Sequence, residues 1–416
     1  MKLKICAVLI FMSLVLTPSA AQGIESGVAF TGTVYEEDMG SEQVEEINNL
    51  IARPLKLNYA SRSRLLSSGI FTPYQIAALY DYRQRNGNIL SFMELAAVDG
   101  FGESFVKSIA SLVSLDSSSL PGLPERSATF LDNTLTTRFS VKFPVETIPE
   151  EAEPSYSYGV KYRFSVNGVT EAGFTARSTY SGELFPPESS SLYCVYYGRG
   201  FLEKLVVGDF NARFGQGLAM WSGFSMSGVP SAGAFSKRVS GISPSWSYSG
   251  DSGHRGVAAD FRAGDFLVSA FVSSPEWRKS VFWKMPDAAT VLPGINLFWL
   301  GMNGQASVTC FARSRSLPLQ NKSSAIFETC HIALDGRCSI RGTEMFAEVA
   351  SELYSGTVAA LAGCRSCLWG VLDMAAALRY YPSGYISEFS GAVRGGSRCS
   401  NEYGASLSAS VAVGKL

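Results

Sequence analysis

Leu135-Thr136-Thr137-Arg138-Phe139-Ser140-Val141-Lys142-Phe143 places Leu, Phe, Val and Phe at odd positions and Thr, Arg, Ser and Lys at even ones, with Thr137 alone breaking the odd series. The next run repeats the pattern. Tyr156, Tyr158, Val160, Tyr162, Phe164 and Val166 share one side, and Lys161, Arg163 and Ser165 the other. Successive side chains of a strand point to opposite faces, so each run predicts a strand with one apolar and one wet face. Aromatic residues crowd the apolar side, and Gly, Ser, Asn and Pro fill the intervening turns, as in a transmembrane antiparallel barrel. Val257, Ala259 and Phe261 against Asp260 and Arg262 continue the pattern, as do Phe266 to Val272, Leu368 to Tyr380 and Tyr403 to Val413. About 290 residues at roughly 15 to 20 per strand and loop predict some 14 to 18 strands, an even number being needed for closure.

Working outward, Lys2 and Lys4 precede an apolar stretch from Ile5 to Leu16, then Pro18 and the small residues Ser19, Ala20 and Ala21. That order predicts a secretory signal peptide over 1–21. An acidic leader (22–40), a helical domain (41–115), a Ser/Pro/Gly linker (116–126) and the strand-rich remainder (127–416) complete the division. The chain has 40 Gly, 26 Phe and 18 Tyr, and its 17% charged residues fall below the usual quarter of soluble domains. Its net charge of -1 lacks the footprint of a general nucleic-acid binder.

Chemistry is sparse. The chain has two histidines, His254 and His331, and no Gly-x-Ser-x-Gly or His-Glu-x-x-His motif, which argues against an enzyme. Glu344 and Glu348 share one strand face and read as wet lining of the interior rather than as an acid-base pair. Seven cysteines remain after signal removal, and Cys364-Arg365-Ser366-Cys367 reads as a structural thiol pair or local disulfide rather than a catalytic dithiol. No spacing fits a standard metal site, and no cofactor is expected.

The helical domain is well punctuated. Thr72 before Pro73 predicts a capped helix to Arg85, Ser91 and Glu94 have capping-box spacing, and a last helix from Glu103 carries Phe105, Val106, Ile109, Leu112 and Val113 on its apolar face. Leu57-Asn58-Tyr59-Ala60-Ser61, Gly69-Ile70, Tyr82-Arg83, Asn86-Gly87, Glu94-Leu95 and Gly100-Phe101-Gly102 together resemble the tandem helix-hairpin-helix domain of ComEA-type competence DNA receptors. The resemblance implies phosphate contact by hairpin amides at Gly69, Ile70, Gly100, Phe101 and Gly102, with Arg62, Arg64 and Lys107 as the nearby basic residues. Phe71 stands where that family's first hairpin has its second Gly, and the seven basic residues of 41–115 are matched by seven acidic ones.

A second resemblance covers the whole arrangement. Gly208-Asp209-Phe210-Asn211-Ala212-Arg213-Phe214-Gly215-Gln216-Gly217-Leu218-Ala219-Met220-Trp221-Ser222-Gly223-Phe224, downstream of the helical domain, resembles a segment of Bacteroidetes outer-membrane proteins that join a helix-hairpin-helix domain to a β-barrel. Asp209, Arg213 and Gln216 then read as an inward polar cluster, and the glycines as places where the wall bends or backbones approach closely. The fold expected is an all-β transmembrane antiparallel barrel with a small N-terminal all-α domain. The function expected is a non-enzymatic outer-membrane pore or scaffold, set in lipid, whose periplasmic helical domain docks a protein partner or plugs the barrel. The alternative is a DNA-uptake receptor.

Overall fold

The computed structural model describes residues 47–51, 53–116, 131–142, 155–166, 168–180, 187–198, 200–223, 235–246, 253–279, 288–301, 304–314, 317–318, 327–340, 343–368 and 372–411. The signal peptide, the acidic leader, all but the first residue of the linker and residues 412–416 lie outside the described residues.

Helices α1 (Arg62–Ser67), α2 (Pro73–Asn86), α3 (Phe92–Ala97) and α4 (Gly102–Ile109) form the N-terminal unit, whose two ends are tied by the parallel pair β1 (Leu55–Lys56) and β2 (Val113–Ser114). The strand region comprises β3 (Leu131–Lys142), β4 (Ser155–Val166), β5 (Thr170–Ser178), β6 (Ser189–Tyr197), β7 (Leu202–Arg213), β8 (Gly241–Pro244), β9 (His254–Ala263) and β10 (Phe266–Ser273), then a short helix α5 (Pro275–Lys279). It continues through β11 (Ala288–Ala289), β12 (Leu292–Leu300), β13 (Gly304–Ser314), β14 (Leu317–Pro318), β15 (Phe327–Ile340), β16 (Thr343–Glu352), β17 (Thr357–Leu368), β18 (Leu372–Tyr381) and β19 (Glu402–Val411).

One 15-stranded antiparallel sheet holds all of these except β1, β2 and the small pair β11–β14. Fourteen strands follow in a single path from β3 to β19, each beside its neighbour in sequence once β8, β11 and β14 are set aside. Within that path the sheet is not closed: β3 and β19 end it without a partner among the described residues. Connections at one end run two to four residues, as at 264–265 between β9 and β10. At the other end all but 353–356 run ten residues or more.

The alternation read from the sequence is the alternation of the wall. Leu135 and Phe139 on β3, Leu378 and Tyr380 on β18, and Tyr403 and Leu407 on β19 are all exposed on the outside, each more than half accessible. Lys161 and Ser165 on β4 and Glu171 on β5 are buried on the inside. Exposed aromatics gather at two levels of the outer face. Tyr196, Phe201, Phe266 and Trp299 lie toward the short-turn end, and Tyr156, Phe327, Tyr380 and Tyr403 toward the long-loop end. Cys194 and Cys364 are also exposed, and both are free.

The Cys364/Cys367 pair reads differently in place. Both residues lie on β17, three positions apart, so their Cα atoms are about 10 Å apart at a strand rise of about 3.3 Å per residue. A disulfide requires less than about 7 Å, and a local bridge between them is ruled out.

In the helical unit the sequence signals hold. Thr72 Oγ1 accepts from Gln75 N while Gln75 Oε1 accepts from Thr72 N, a full capping box. Ser91 Oγ accepts from Glu94 N, but the Glu94 carboxylate reaches Leu90 N, one residue before the cap, and Tyr82 Oη. Leu57, Leu65, Ile70, Leu79, Ile89, Leu95, Ile109 and Leu112 are fully buried in its core. Phe71 packs in an aromatic trio with Phe101 and Phe105, ring centroids 5.8 and 6.4 Å away.

Candidate functional site

The interior of the wall is filled. After Gly208 the strand β7 parts from β6 while staying paired with β9 as far as Phe210, and residues 209–213 are all buried. Gly208 has φ +104°, and a Cβ built there would lie 2.2 Å from the Leu192 carbonyl oxygen, so both the conformation and the close approach require glycine. The departing end of β7 pairs with β8, and Phe210, Ala212, Phe214, Leu218, Ala219, Met220, Phe235 and Ile242 form one apolar core with Tyr193, Phe271, Phe311, Phe346 and Leu361 of the wall. Gly208→Val is expected to reduce the folded yield sharply, since strain alone costs on the order of 1–3 kcal/mol and the clash is with backbone. Heat-modifiable gel migration reads the folded fraction.

Glu348 on β16 holds this inner segment. Its carboxylate, 2% exposed, accepts from Gln216 N at 2.6 Å, Leu218 N at 3.0 Å and Ala219 N at 3.2 Å. From the other side the β18–β19 connection closes on the same loop: Tyr385 Oη donates to Leu218 O, Ser387 Oγ to Ala219 O, and Trp221 N to Phe389 O. Asp209, Arg213 and Gln216, expected as one inward cluster, serve as three separate fixings. Asp209 is bonded by Arg255 at 2.7 Å and accepts from Leu192 N, Arg213 Nε donates to Ser222 O, and Gln216 Oε1 accepts from Lys237 N. All three are buried because the end of β7 and the loop that follows it turn into the interior.

The helical unit sits against the short-turn end. Its core is continuous with Leu267 of β10, Phe298 and Leu300 of β12, and Val239 of the inner segment. Ser63 N donates to Glu203 Oε2 at 2.7 Å, and Ser63 Oγ to Asp260. Lys204, fully buried, pairs with Asp260 at 2.9 Å, donates to the Ile242 carbonyl of β8 and reaches Ser63 O at 3.5 Å. One ammonium thus touches the helical unit, the inner segment and the wall. A buried charge needs such complete pairing. Tyr80, whose Oη donates to Ala60 O, has its phenol pushed up to about 12 by burial and by the nearby Glu203 charge.

This seating engages several residues that the resemblance assigned to DNA. Arg62 donates to Gly264 O in the β9–β10 turn, and Arg64 donates to Gly168 O in the β4–β5 turn while stacking on Tyr197 at 4.3 Å. Ile70 is buried and its carbonyl accepts from Arg238 of the inner segment; Gly69 has φ +66° beside it. The second hairpin stands elsewhere. Gly100 (φ +80°) is backed by Tyr74 and Gln75, Phe101 is buried, Gly102 (φ +65°) faces open space, and exposed Lys107 pairs with Glu103. Asn58, Arg83 and Glu94 are internal staples: Asn58 Nδ2 donates to Ile89 O and Leu115 O, and Arg83 donates to Asn58 O and Ala60 O.

Sequence reasoning missed Glu203, Lys204 and Ser63, whose inward-facing or turn positions carry no motif. Both histidines lie in aromatic surroundings, His331 stacked on Phe311 at 4.9 Å and His254 tilted against Phe210 and Phe389.

No family profile and no curated protein matches this chain. Among solved structures it is similar to a mutant of the Rh. blastica porin, with 11% identity, 60% of this chain and 94% of that one covered, and a TM-score of 0.23. It is also similar to the anion-selective porin from Comamonas acidovorans, with 12% identity, coverage of 67% and 98%, and a TM-score of 0.29. Scores this low carry no argument, and the functional reading rests on the chain's own geometry.

Proposed function

We propose that the chain is a non-enzymatic outer-membrane β-barrel whose interior is shut by its own inner segment and whose helix-hairpin-helix domain plugs the periplasmic mouth, where it is placed to dock a periplasmic protein. The single observation carrying this is the pairing of an apolar outer face, banded by two levels of aromatics, with an inner face that encloses a packed segment of the same chain, polar on β3 to β5 and largely apolar beyond them. Isolated exposed apolar residues are ordinary, but a whole sheet face of them is a surface that hydrocarbon would cover. Barrels of this kind keep short turns in the periplasm and long loops outside, which puts the helical domain on the periplasmic side. DNA uptake is the weaker reading, because Arg62, Arg64 and the Ile70 carbonyl are engaged by the wall and the inner segment, and electrostatic affinity for DNA needs free cations.

Orientation is testable with single cysteines in a background whose own cysteines are replaced by serine. Met93→Cys, at an 85% exposed site on the helical domain, is expected to react with a membrane-impermeant maleimide only after the outer membrane is permeabilised. Tyr354→Cys, 64% exposed in the 353–356 turn, is expected to react in intact cells. Reversal of the two patterns, or labelling of both in intact cells, would sink the placement.

A further inference from the structure

The interior is not uniformly apolar. The packed core draws on β6 through β18, whereas the inner faces of β3, β4 and β5 carry Thr134, Thr136, Lys161, Arg163, Ser165, Glu171 and Thr175. Into this polar wedge the helical domain inserts Arg53 and the inner segment inserts Trp246. Arg53 Nε pairs with Asp132 at 2.8 Å, and its Nη2 donates to Thr134 Oγ1 at 2.6 Å. Thr134 is the register partner of Arg163, which brings the two arginines near enough for the charge of one to act on the other. Arg163 pairs with Glu171 at 2.8 Å, and the other oxygen of Glu171 accepts from Tyr193 Oη at 2.6 Å. The Trp246 indole lies 5.3 Å from the Arg163 guanidinium and 5.2 Å from the Lys161 ammonium, and its carbonyl accepts from Lys161 Nζ at 3.0 Å.

Among the described residues, three donors in this wedge are buried without a hydrogen-bond partner: Arg53 Nη1, Arg163 Nε and Trp246 Nε1. Buried donors are ordinarily satisfied, and a group of orphans in one place calls for an explanation such as a bound ion. The charges agree. Arg53 pairs with Asp132, Arg163 with Glu171, and Arg64 acts on Glu171 from across it, while Lys161 stands against Trp246. Burial, and then the charge of Arg163, push the Arg53 guanidinium below its usual range, a repulsion that an anion between the two would relieve. Planar guanidiniums present paired donors that match the oxygens of a carboxylate or phosphate, and an indole N–H adds a third point.

The geometry points to a binding site for a small oxyanion, a phosphate or carboxylate group, held between Arg53 of the helical domain and Arg163 of the wall under the Trp246 indole. The site joins the three parts of the molecule, since one ligand group would contact the plug domain, the inner segment and the wall together. It is independent of whether the interior conducts, because binding is read without any current.

The test uses the full chain in detergent at constant ionic strength, titrated with inorganic phosphate, with acetate as the carboxylate arm and chloride as control. Heat of binding and tryptophan fluorescence are recorded together. Saturable binding of phosphate or acetate but not of chloride is expected, weakened at least tenfold in Arg53→Gln and in Arg163→Gln. Whichever of the two anions binds more tightly identifies the ligand group. Trp246→Phe should lose the fluorescence change and keep a measurable heat. Should Arg163→Gln fail to fold by heat-modifiable migration, Arg53→Lys decides, since it keeps the charge and loses the fork. A wild-type chain that shows only the chloride response, or affinity unchanged by the Arg53 substitutions, overturns the assignment.

Discussion

Glu348→Ala is expected to release the loop at 214–223 and turn a silent protein into one that passes ions across a planar bilayer. The carboxylate accepts three backbone N–H groups at 2.6 to 3.2 Å in a site closed to solvent. Hydrogen bonds to a charged acceptor contribute about 1.5–3 kcal/mol each, and each donor left unsatisfied in a dry interior costs about 1–3 kcal/mol. Their loss is large compared with what the hydroxyls of Tyr385 and Ser387 and the remaining apolar contacts restore to a loop of this length. Space offers no remedy, because a Cβ at Gly215 would already lie 2.8 Å from the Glu348 oxygen and the loop is fitted to the carboxylate. Glu348→Gln tests charge against shape. Gln216 N and Leu218 N share one carboxylate oxygen and Ala219 N meets the other, so the amide can keep its oxygen on two donors while its NH2 faces the third, and it should fall between the unmodified chain and alanine. The unmodified chain is expected to show no steady conductance, and the alanine variant stepwise openings together with new protease cleavage near Trp221. A variant that stays silent and protected would mean that the apolar core alone keeps the interior shut.

What the sequence disclosed follows from which contacts are periodic. Leu135 and Phe139, or Leu378 and Tyr380, face outward by parity alone, and parity survives whatever lies inside. The caps at Thr72 and Ser91 were equally legible, because an N-cap is decided within four residues. Gly208 was legible as a place of close approach but not as the point where β7 turns inward, since a glycine in a strand signals a bulge, a bend or a contact without saying which. Glu348 looked like any inward carboxylate. Its role depends on three amides some 130 residues earlier in the chain. Arg62 and Arg64 were read by resemblance as phosphate ligands, whereas the carbonyls they reach, Gly264 and Gly168, lie in turns of the wall that no local pattern connects to them.

A disulfide between Phe139→Cys and Leu407→Cys is expected to form within one chain and to staple β3 to β19. Unpaired strand edges are not tolerated at membrane depth, so the two ends of the sheet must find partners. They run antiparallel to one another, as the ends of a fourteen-strand path do. The register between neighbours fixes how they meet. Followed from Leu131 at the short-turn end of β3, the row of partners passes through Tyr196, Ala259, Ile295 and Ile332 and reaches Val358 at the long-loop end of β17. Two residues further along β17, Ala360 leads through Tyr380 to Tyr403, so the row from Leu131 would meet the chain at Asn401, above β19. Closing the sheet means sliding β3 down β19 by the shear. A shear equal to the strand number gives a tilt of about 36°, at the lower end of the 35–45° that barrels adopt. For this path that is a shear of about 14 residues, which sets Phe139 opposite Leu407, Leu135 opposite Val411 and Arg138 opposite Ser408. Outward apolar residues then face each other and inward polar ones do likewise. A shear two residues smaller or larger sets Phe139 against Ala405 or Ala409 and shortens that apolar contact. The experiment compares Phe139→Cys paired with Leu407→Cys, Ala405→Cys or Ala409→Cys in the serine background. A two-residue offset separates Cα atoms by about 8 Å, beyond a disulfide's reach, so only the matched pair should oxidise efficiently. Preference for an offset pair would reject this register, and covalent dimers in place of an intramolecular bond would assign the open edges to a second copy of the chain.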